Sequence, residues 1–247
     1  MNLLLDLGNT RLKWALSHGQ PVAGSGILQR GVVSYDSGSL ATWSVALQDK
    51  PVTQIRFSSV ITPEQEDLVF AALASLTLEP LRFRVRPNAG SLLNRYATQE
   101  TLGVDRWAAA IGAWGLVGQS CLVVAAGTAT TIDLVESSEP GHAVYCGGLI
   151  LPGLDLMLQS LHQRAARLPQ AVGRYCPAPE VADNTHDAIT SGAIEATCGA
   201  IERMSQRLTS DSPWVLTGGN APQLQTVLGH RARVVEDLVL EGLALNL

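Results

Sequence analysis

Two stretches in opposite halves of this chain share one layout, and that repeat restricts the folds open to it. Met1 to Leu16 reads MNLLLDLGNTRLKWAL: an apolar run at Leu3–Leu5 breaks at Asp6, and Gly8 and Asn9 supply turn chemistry. Arg11 to Leu16 then alternates polar and apolar, the pattern of a strand, a tight turn and a second strand. Cys121 to Val135 (CLVVAAGTATTIDLV) repeats it, with the turn at Gly127-Thr128. Aligned on Gly8 and Gly127, Thr128 falls opposite Asn9 and Ala125 opposite Asp6. A third glycine turn, VLTGGNA at Val215–Ala221, also follows an apolar stub. Glycine lets a backbone approach a phosphate or a flat ligand closely. Three such turns predict a duplicated fold, each half presenting a phosphate-facing hairpin, with a nucleotide cleft between the halves.

Asp6 admits two readings. It caps a turn, as Asx residues commonly do. Alternatively, with Gly8, Asn9 and Thr10 after it, it holds a hydrated Mg²⁺ beside a phosphate chain. The 247 residues allow one large domain or two smaller ones. A net charge of −5 argues against a broad nucleic-acid or anionic-membrane surface, while leaving room for small anions held by local donors. The cysteines, Cys121, Cys146, Cys176 and Cys198, are widely spaced and form no CxxC pair, so neither zinc nor a disulfide framework is expected. Asp6 interrupts the first apolar run, which disfavours a signal peptide, and no apolar stretch is long enough for a membrane span. A cytoplasmic protein is the expectation.

Along the chain, strands are expected at 27–33, 54–60 and 81–85, with helices at 40–47 and from Pro63 to Leu76. Residues 87–103 look irregular. A helix then opens at Val104-Asp105-Arg106 and runs to about Leu116, with Trp107, Ile111 and Trp114 on one face. Asp105 is either its N-cap or, beside Arg106, part of an anion-receiving helix start. In the second half a strand at 143–151 is broken by Gly147 and Gly148, and Pro152-Gly153 introduces a helix to about Arg167. Residues 168–183 form a loop or flap. Asn184 caps a helix, with Asp187 at its third position, that continues to Leu208. Gly192, Ala193, Ala196, Gly199 and Ala200 give this helix a small-residue side, expected to pack into the core rather than against a second subunit. A strand at 215–216, a helix from Pro222, a strand at 232–235 and an apolar tail at 238–245 follow. The boundary between halves is placed at 115–120, giving domains 1–117 and 118–247.

Taken together, DLGNT (Asp6–Thr10), GVDR (Gly103–Arg106), GTATT (Gly127–Thr131), GGLILPG (Gly147–Gly153), NT (Asn184-Thr185) and TGG (Thr217–Gly219) resemble type III pantothenate kinase in order and spacing. The resemblance implies an α/β fold of the acetate and sugar kinase/heat-shock ATPase/actin type: two ribonuclease H-like domains, each with a mixed five-stranded sheet, and ATP between them. The activity implied is ATP-dependent phosphorylation of pantothenate, the entry step of coenzyme A synthesis. Carried over by position, Asp6, Leu7, Gly8, Asn9, Thr10, Arg11, Leu12, Lys13 and Thr128 would contact ATP, and Asp6 would help place Mg²⁺. Asp105 would be the general base. Tyr96, Gly103, Val104, Asp105, Arg106 and Thr185 would bind pantothenate. The family's homodimers imply a second subunit whose site the Thr185 threonine reaches.

One position departs from the pattern. The family's acid at the start of the second hairpin, which helps hold K⁺ or NH₄⁺, is Ala125 here. A methyl group coordinates nothing, so weaker or altered dependence on a monovalent cation is expected. Two other readings compete: a different small-molecule kinase or phosphatase on the same hairpins, and a catalytically silent regulatory protein. GVDR with Tyr96 separates the first from a pantothenate kinase, and the retained Asp6, Asp105 and Thr185 weigh against the second.

Overall fold

The Leu3–Leu5 run is long enough only for a short strand, and its leucines are fully buried because both faces of that strand are covered. The computed structural model describes residues 1–18, 26–164 and 173–245. In chain order the strands and helices are β1 (Asn2–Leu7), β2 (Leu12–Ser17), β3 (Ile27–Val33), α1 (Ser37–Leu47), β4 (Gln54–Ser59), α2 (Pro63–Ala72), β5 (Pro80–Arg82), β6 (Asn88–Ala89), β7 (Leu92–Asn94) and α3 (Val104–Val117). Then come β8 (Cys121–Ala126), β9 (Ala129–Glu139), β10 (His142–Pro152), α4 (Leu154–Arg164), α5 (Thr185–Ser205), β11 (Trp214–Thr217), α6 (Ala221–Leu228), β12 (Ala232–Val234) and α7 (Leu238–Ala244). The chain divides into two compact units. The first takes 1–118, 137–145 and 237–247; the second takes 119–136 and 146–236.

The first unit is built on a five-stranded sheet of order β3-β2-β1-β4-β5. β1 pairs antiparallel with β2 and parallel with β4, while β2–β3 is antiparallel and β4–β5 parallel. Leu3, Leu5, Leu7, Leu12 and Trp14 meet Leu40 and Trp43 of α1 and Val69 of α2 on one face. α2 starts at a capping box, Thr62 with Gln65, and Pro63 sits where its missing N–H costs nothing. α3 and α7 pack closely, because Gly112 lies against the backbone of Leu238 and Gly242 against the carbonyl of Ala108. A Cβ on Gly112 would stand 2.5 Å from the Leu238 oxygen. The 137–145 hairpin tip adds Tyr145, fully buried edge-on to Trp107 at 5.7 Å.

The second unit repeats the arrangement: β8 pairs antiparallel with β9 and parallel with β11, and β11 with β12. Its sheet has seven strands in the order β12-β11-β8-β9-β10-β7-β6, of which β10-β9-β8-β11-β12 match β3-β2-β1-β4-β5 strand for strand. The five strands expected are exceeded because β7 pairs with residues 143–145 of β10 and carries β6 at the edge. The duplication expected from the two hairpins is therefore present at the level of topology. Leu122, Val124, Ile132 and Leu216 pack against Ile194, Cys198 and Ile201 of α5.

Several local expectations need correction. β10 runs through Gly147-Gly148 without a break, since Gly148 lies against the backbone of Ile132 and Asp133, where a side chain would not fit. Residues 87–103 contain the short β6 and β7, held by Asn94, whose amide donates to the Arg86 carbonyl. α5 ends at Ser205 rather than Leu208, and β5 is only Pro80–Arg82. The small-residue side of α5 splits: Ala193 is buried, whereas Gly192, Ala196 and Gly199 are exposed, so that stripe does not pack into the core. The predicted helix after Pro152-Gly153 is α4 from Leu154; its expected end near Arg167 and the start of the 168–183 loop lie outside the described residues. Among the described residues no helix is long and apolar enough to cross a membrane.

Candidate active site

In the first unit Asp6 sits where β1 gives out, opposite Lys13 on β2 and Ser58 on β4. Cross-strand partners share a face of the sheet, so the three side chains emerge together. The Ser58 hydroxyl is buried and has no hydrogen-bond partner among the described residues. Burial pushes the Asp6 carboxyl up to about 7; the Lys13 ammonium opposes this, and the negative charges of Asp105 and Asp237 add to it. Three carboxylates thus share one neighbourhood in which positive charge is favoured. Within the predicted nucleotide stretch, Leu7 and Leu12 are fully buried and present only backbone to a ligand. Asn9, Thr10 and Arg11 are exposed at the turn. The Gly8 carbonyl accepts a 2.7 Å hydrogen bond from the Tyr35 hydroxyl, which anchors the turn from β3's far end.

α3 delivers Asp105. Its N-cap is Gly103, not Asp105, which removes the capping reading of that residue. Asp105 is at the second helical position, and its Oδ1 accepts the Arg106 N–H at 2.9 Å. Gly103 makes room for it, since a Cβ there would lie 2.6 Å from Oδ1. Val104 fills the first helical position. Arg106 is buried, with its guanidinium 5.6 Å from the centre of the Tyr96 ring, and Tyr96 lies 6.3 Å from Tyr145. The Asn94 side chain fixes the loop by accepting the Tyr96 N–H at 3.0 Å. Tyr96, Gly103, Val104, Asp105 and Arg106 therefore form one wall, with an acid, a cation and an aromatic face.

In the second unit the β8–β9 turn is locked by glycines. Gly153 packs on the carbonyls of Gly127 and Thr128, and its N–H donates to Thr128 at 2.9 Å. Gly218, at φ +97°, packs on Ala126, and the Asn220 N–H donates to the Ala126 carbonyl. The second and third glycine turns read from the sequence thus meet, leaving Thr128 exposed at the tip. Asn184 caps α5 by accepting the Asp187 N–H at 3.0 Å, as expected. Thr185 is exposed at the first position of α5, on a groove of about 780 Å³ lined also by Met157, Leu161, Gly192 and Ala196.

The family model for type III pantothenate kinase matches residues 2–207. The chain belongs to the type III pantothenate kinase family. The type III pantothenate kinase of Aromatoleum aromaticum is 38% identical over 246 residues, covering 99% of this chain and 96% of that protein. That of Methylobacillus flagellatus is 39% identical over 251 residues, covering 98% and 95%. The chain is also similar in fold to the Clostridium difficile activator of 2-hydroxyisocaproyl-CoA dehydratase, with a TM-score of 0.52 at 10% identity, covering 99% and 92% of the two chains. The fold is thus the one that the family resemblance implied.

The Ala125 side chain offers no oxygen to a cation. It stands between Thr131 of β9 and Thr217 of β11, and the Thr217 hydroxyl donates to the Glu236 carbonyl at 3.1 Å. Among the described residues no group of three His, Cys, Asp or Glu side chains is poised to hold a metal ion. Asp6 with Asp105 and Asp237 nearby still suits Mg²⁺, which takes one or two carboxylates and completes its octahedron with water and phosphate. Three members of this site were not read from the sequence: Asp237, Arg30 and Tyr35. Nothing local marks them, for an acid before a helix or a tyrosine after a strand is ordinary, and only the fold brings them to Asp6 and Gly8.

Proposed function

We propose that this protein transfers the γ-phosphoryl group of ATP to the primary hydroxyl of pantothenate, giving 4′-phosphopantothenate for coenzyme A synthesis. Similarity over nearly the full length, at 38% and 39% identity, to enzymes of that name supports the reaction class. The observation that carries the site assignment is the placing of Asp6 and Asp105 within electrostatic reach of each other on one unit. Phosphoryl transfer asks a protein chiefly for in-line placement and charge neutralisation. Asp105 is the proposed general base, taking the hydroxyl proton as the new P–O bond forms. Its orientation is set by the Arg106 N–H, so its second oxygen is left for substrate. Arg106 and Tyr96 suit the carboxylate and the apolar body of pantothenate, and Thr185 adds a hydroxyl. The Asp6–Lys13 turn and Thr128 are the proposed ATP contacts. Mg²⁺, held through Asp6, would supply neutralisation of the phosphate charge.

The protein is further proposed to be a cytoplasmic homodimer, with α5's exposed Gly192-Ala196-Gly199 stripe at the contact. Turnover is proposed not to depend on K⁺ or NH₄⁺, because Ala125 replaces the acid that would hold either. The test is pantothenate-dependent ADP release with Mg²⁺ for wild type and Asp105→Asn. Loss of a positioned base costs about 10²–10⁴-fold in rate. Asp105→Asn should show such a loss with the fold retained by circular dichroism; near-normal turnover would remove Asp105 from the mechanism.

A further inference from the structure

Asp237 occupies the N-cap of α7 yet does not cap it: its side chain makes no hydrogen bond to the first turn. The carboxylate is turned toward the sheet. Oδ1 lies 3.7 Å from the Lys13 Nζ and Oδ2 lies 3.6 Å from the Arg30 Nη1. The carboxylate is largely enclosed, 12% exposed, while the two cations are about a third exposed, at 32% and 39%. A carboxylate that gives up capping to bridge cations on two neighbouring strands is placed for a purpose other than helix stability. Its position is set firmly, because α7 is held on α3 by the Gly112 and Gly242 contacts. The helix that carries Asp105 therefore also fixes where Asp237 stands.

We propose that Asp237 is a positioning residue for ATP, holding the Lys13 ammonium out toward the phosphates and away from Asp6. The inference rests on the reading of the Asp6–Lys13 turn as the nucleotide contact. Lysine carries a point charge on a flexible stem with much rotamer freedom to lose. The acceptor directly across the strand pair from Lys13 is Asp6. Without Asp237, Lys13 turns aside toward that carboxylate, and the phosphate contact is lost. Arg30 on the other oxygen keeps Asp237 from following Lys13. Neither Asp237 nor Arg30 lies in the motifs that carry the family resemblance in this sequence.

The experiment compares the full-length wild type with Asp237→Asn, Asp237→Ser, Asp237→Glu, Lys13→Met and the Lys13→Met/Asp237→Asn double variant, by ADP release and by calorimetric titration with Mg·ATP. Asn and Ser are both good N-caps, so α7 is retained in each. Misplacing a charged contact should raise KM for ATP about tenfold in Asp237→Asn and Asp237→Ser, with KM for pantothenate and kcat within about twofold. Asp237→Glu should recover most of the loss. The double variant should be no worse than Lys13→Met alone, since coupled residues are non-additive. An unchanged or lowered KM for ATP in either folded variant, or losses that multiply in the double variant, would overturn the proposal. If the wild type releases no ADP with pantothenate, the proposed reaction fails, and the Mg·ATP titration still decides the role of Asp237. A tenfold loss of affinity supports it; equal affinity, or no binding by wild type, refutes it.

Discussion

Asp6 is a residue at which binding and stability oppose each other. Its carboxyl is raised to about 7 by burial and by the charges of Asp105 and Asp237. A raised acid keeps its proton in the folded protein after the unfolded chain has lost it, so the native state binds more protons between its ordinary value near 3.8 and 7. Its contribution is therefore fully present below the ordinary value and is lost as pH rises through that window. Asp6→Asn removes the penalty. In the absence of nucleotide and metal, scanning calorimetry should show a higher thermal midpoint for Asp6→Asn than for wild type at pH 8, and a smaller gap at pH 5. An equal gap at both values would mean that Asp6 is not the titrating group. Mg²⁺ with ATP should stabilise wild type at pH 8 and not the variant. On the proposed role of Asp6 as the Mg²⁺ ligand, Asp6→Asn should lose activity for the reason that it gains stability: it removes the unfavourable charge that would hold the cation.

At the scale of elements, α7 is the piece that completes the first unit. It contacts β1 as well as α3, and Leu238, Leu240 and Leu243 are fully buried. Its fit depends on the absence of a side chain at Gly242, which rests on the Ala108 carbonyl. Forcing a methyl group into such a contact costs typically about 1–3 kcal/mol. Each kcal/mol lowers the midpoint of a chain of this size by about 2–4 °C. Gly242→Ala should therefore fall in midpoint by several degrees, and its KM for ATP should rise, because Asp237 moves with the helix. A variant with wild-type midpoint and wild-type KM would show that the α3–α7 contact is softer than its geometry indicates. In the second unit the corresponding constraint lies in a turn: Gly153 and Gly218 clamp the Gly127-Thr128 tip, and Gly218 needs the left-handed region in addition.

Two predictions belong to the whole molecule. Among the described residues nothing lies within 4 Å of where a Cβ on Gly192 or Gly199 of α5 would stand. Gly192→Arg is therefore accommodated in an isolated chain and obstructs a second molecule laid on that stripe, as well as narrowing the groove beside Thr185. Light scattering should give twice the chain mass for wild type and the chain mass for Gly192→Arg, with unchanged far-ultraviolet circular dichroism. A dimeric variant would place the subunit contact elsewhere. The second concerns ions: ADP release measured in Na⁺, K⁺ and NH₄⁺ buffers should agree within about twofold, since one lost ligand to a cation generally changes affinity by a larger factor than that. Activity confined to K⁺ or NH₄⁺ would mean that other oxygens have replaced the missing acid.

Much of this was legible in the sequence because it is local. The apolar run ending at Asp6, the Gly-Asn and Gly-Thr turns and the two-residue alternation after them specify strand pairs at short range, and their recurrence specifies the duplication. β3 falls on Ile27–Val33 and the capping of α5 on Asn184, because each follows from neighbours within a few residues. Asp105 is the intermediate case: its residue type and helix start could be read, but whether it caps α3 could not, since that depends on Gly103 taking the cap and leaving the carboxylate turned elsewhere. The exposed side of α5 was misjudged because small apolar residues pack equally well in a core or on an open face, and only the neighbouring helices decide which. Asp237 and Arg30 were invisible for a stronger reason. Lys13 meets an acid far along the chain only after α7 has folded back onto α3, through glycine contacts whose partners no local pattern names. The sequence by itself determined the strand pairs, their repetition and the chemistry of each turn, which are short-range properties. Which charges surround Asp6, and therefore how its carboxylate behaves, was decided by the tertiary structure, because burial and Coulomb interactions depend on distance in space.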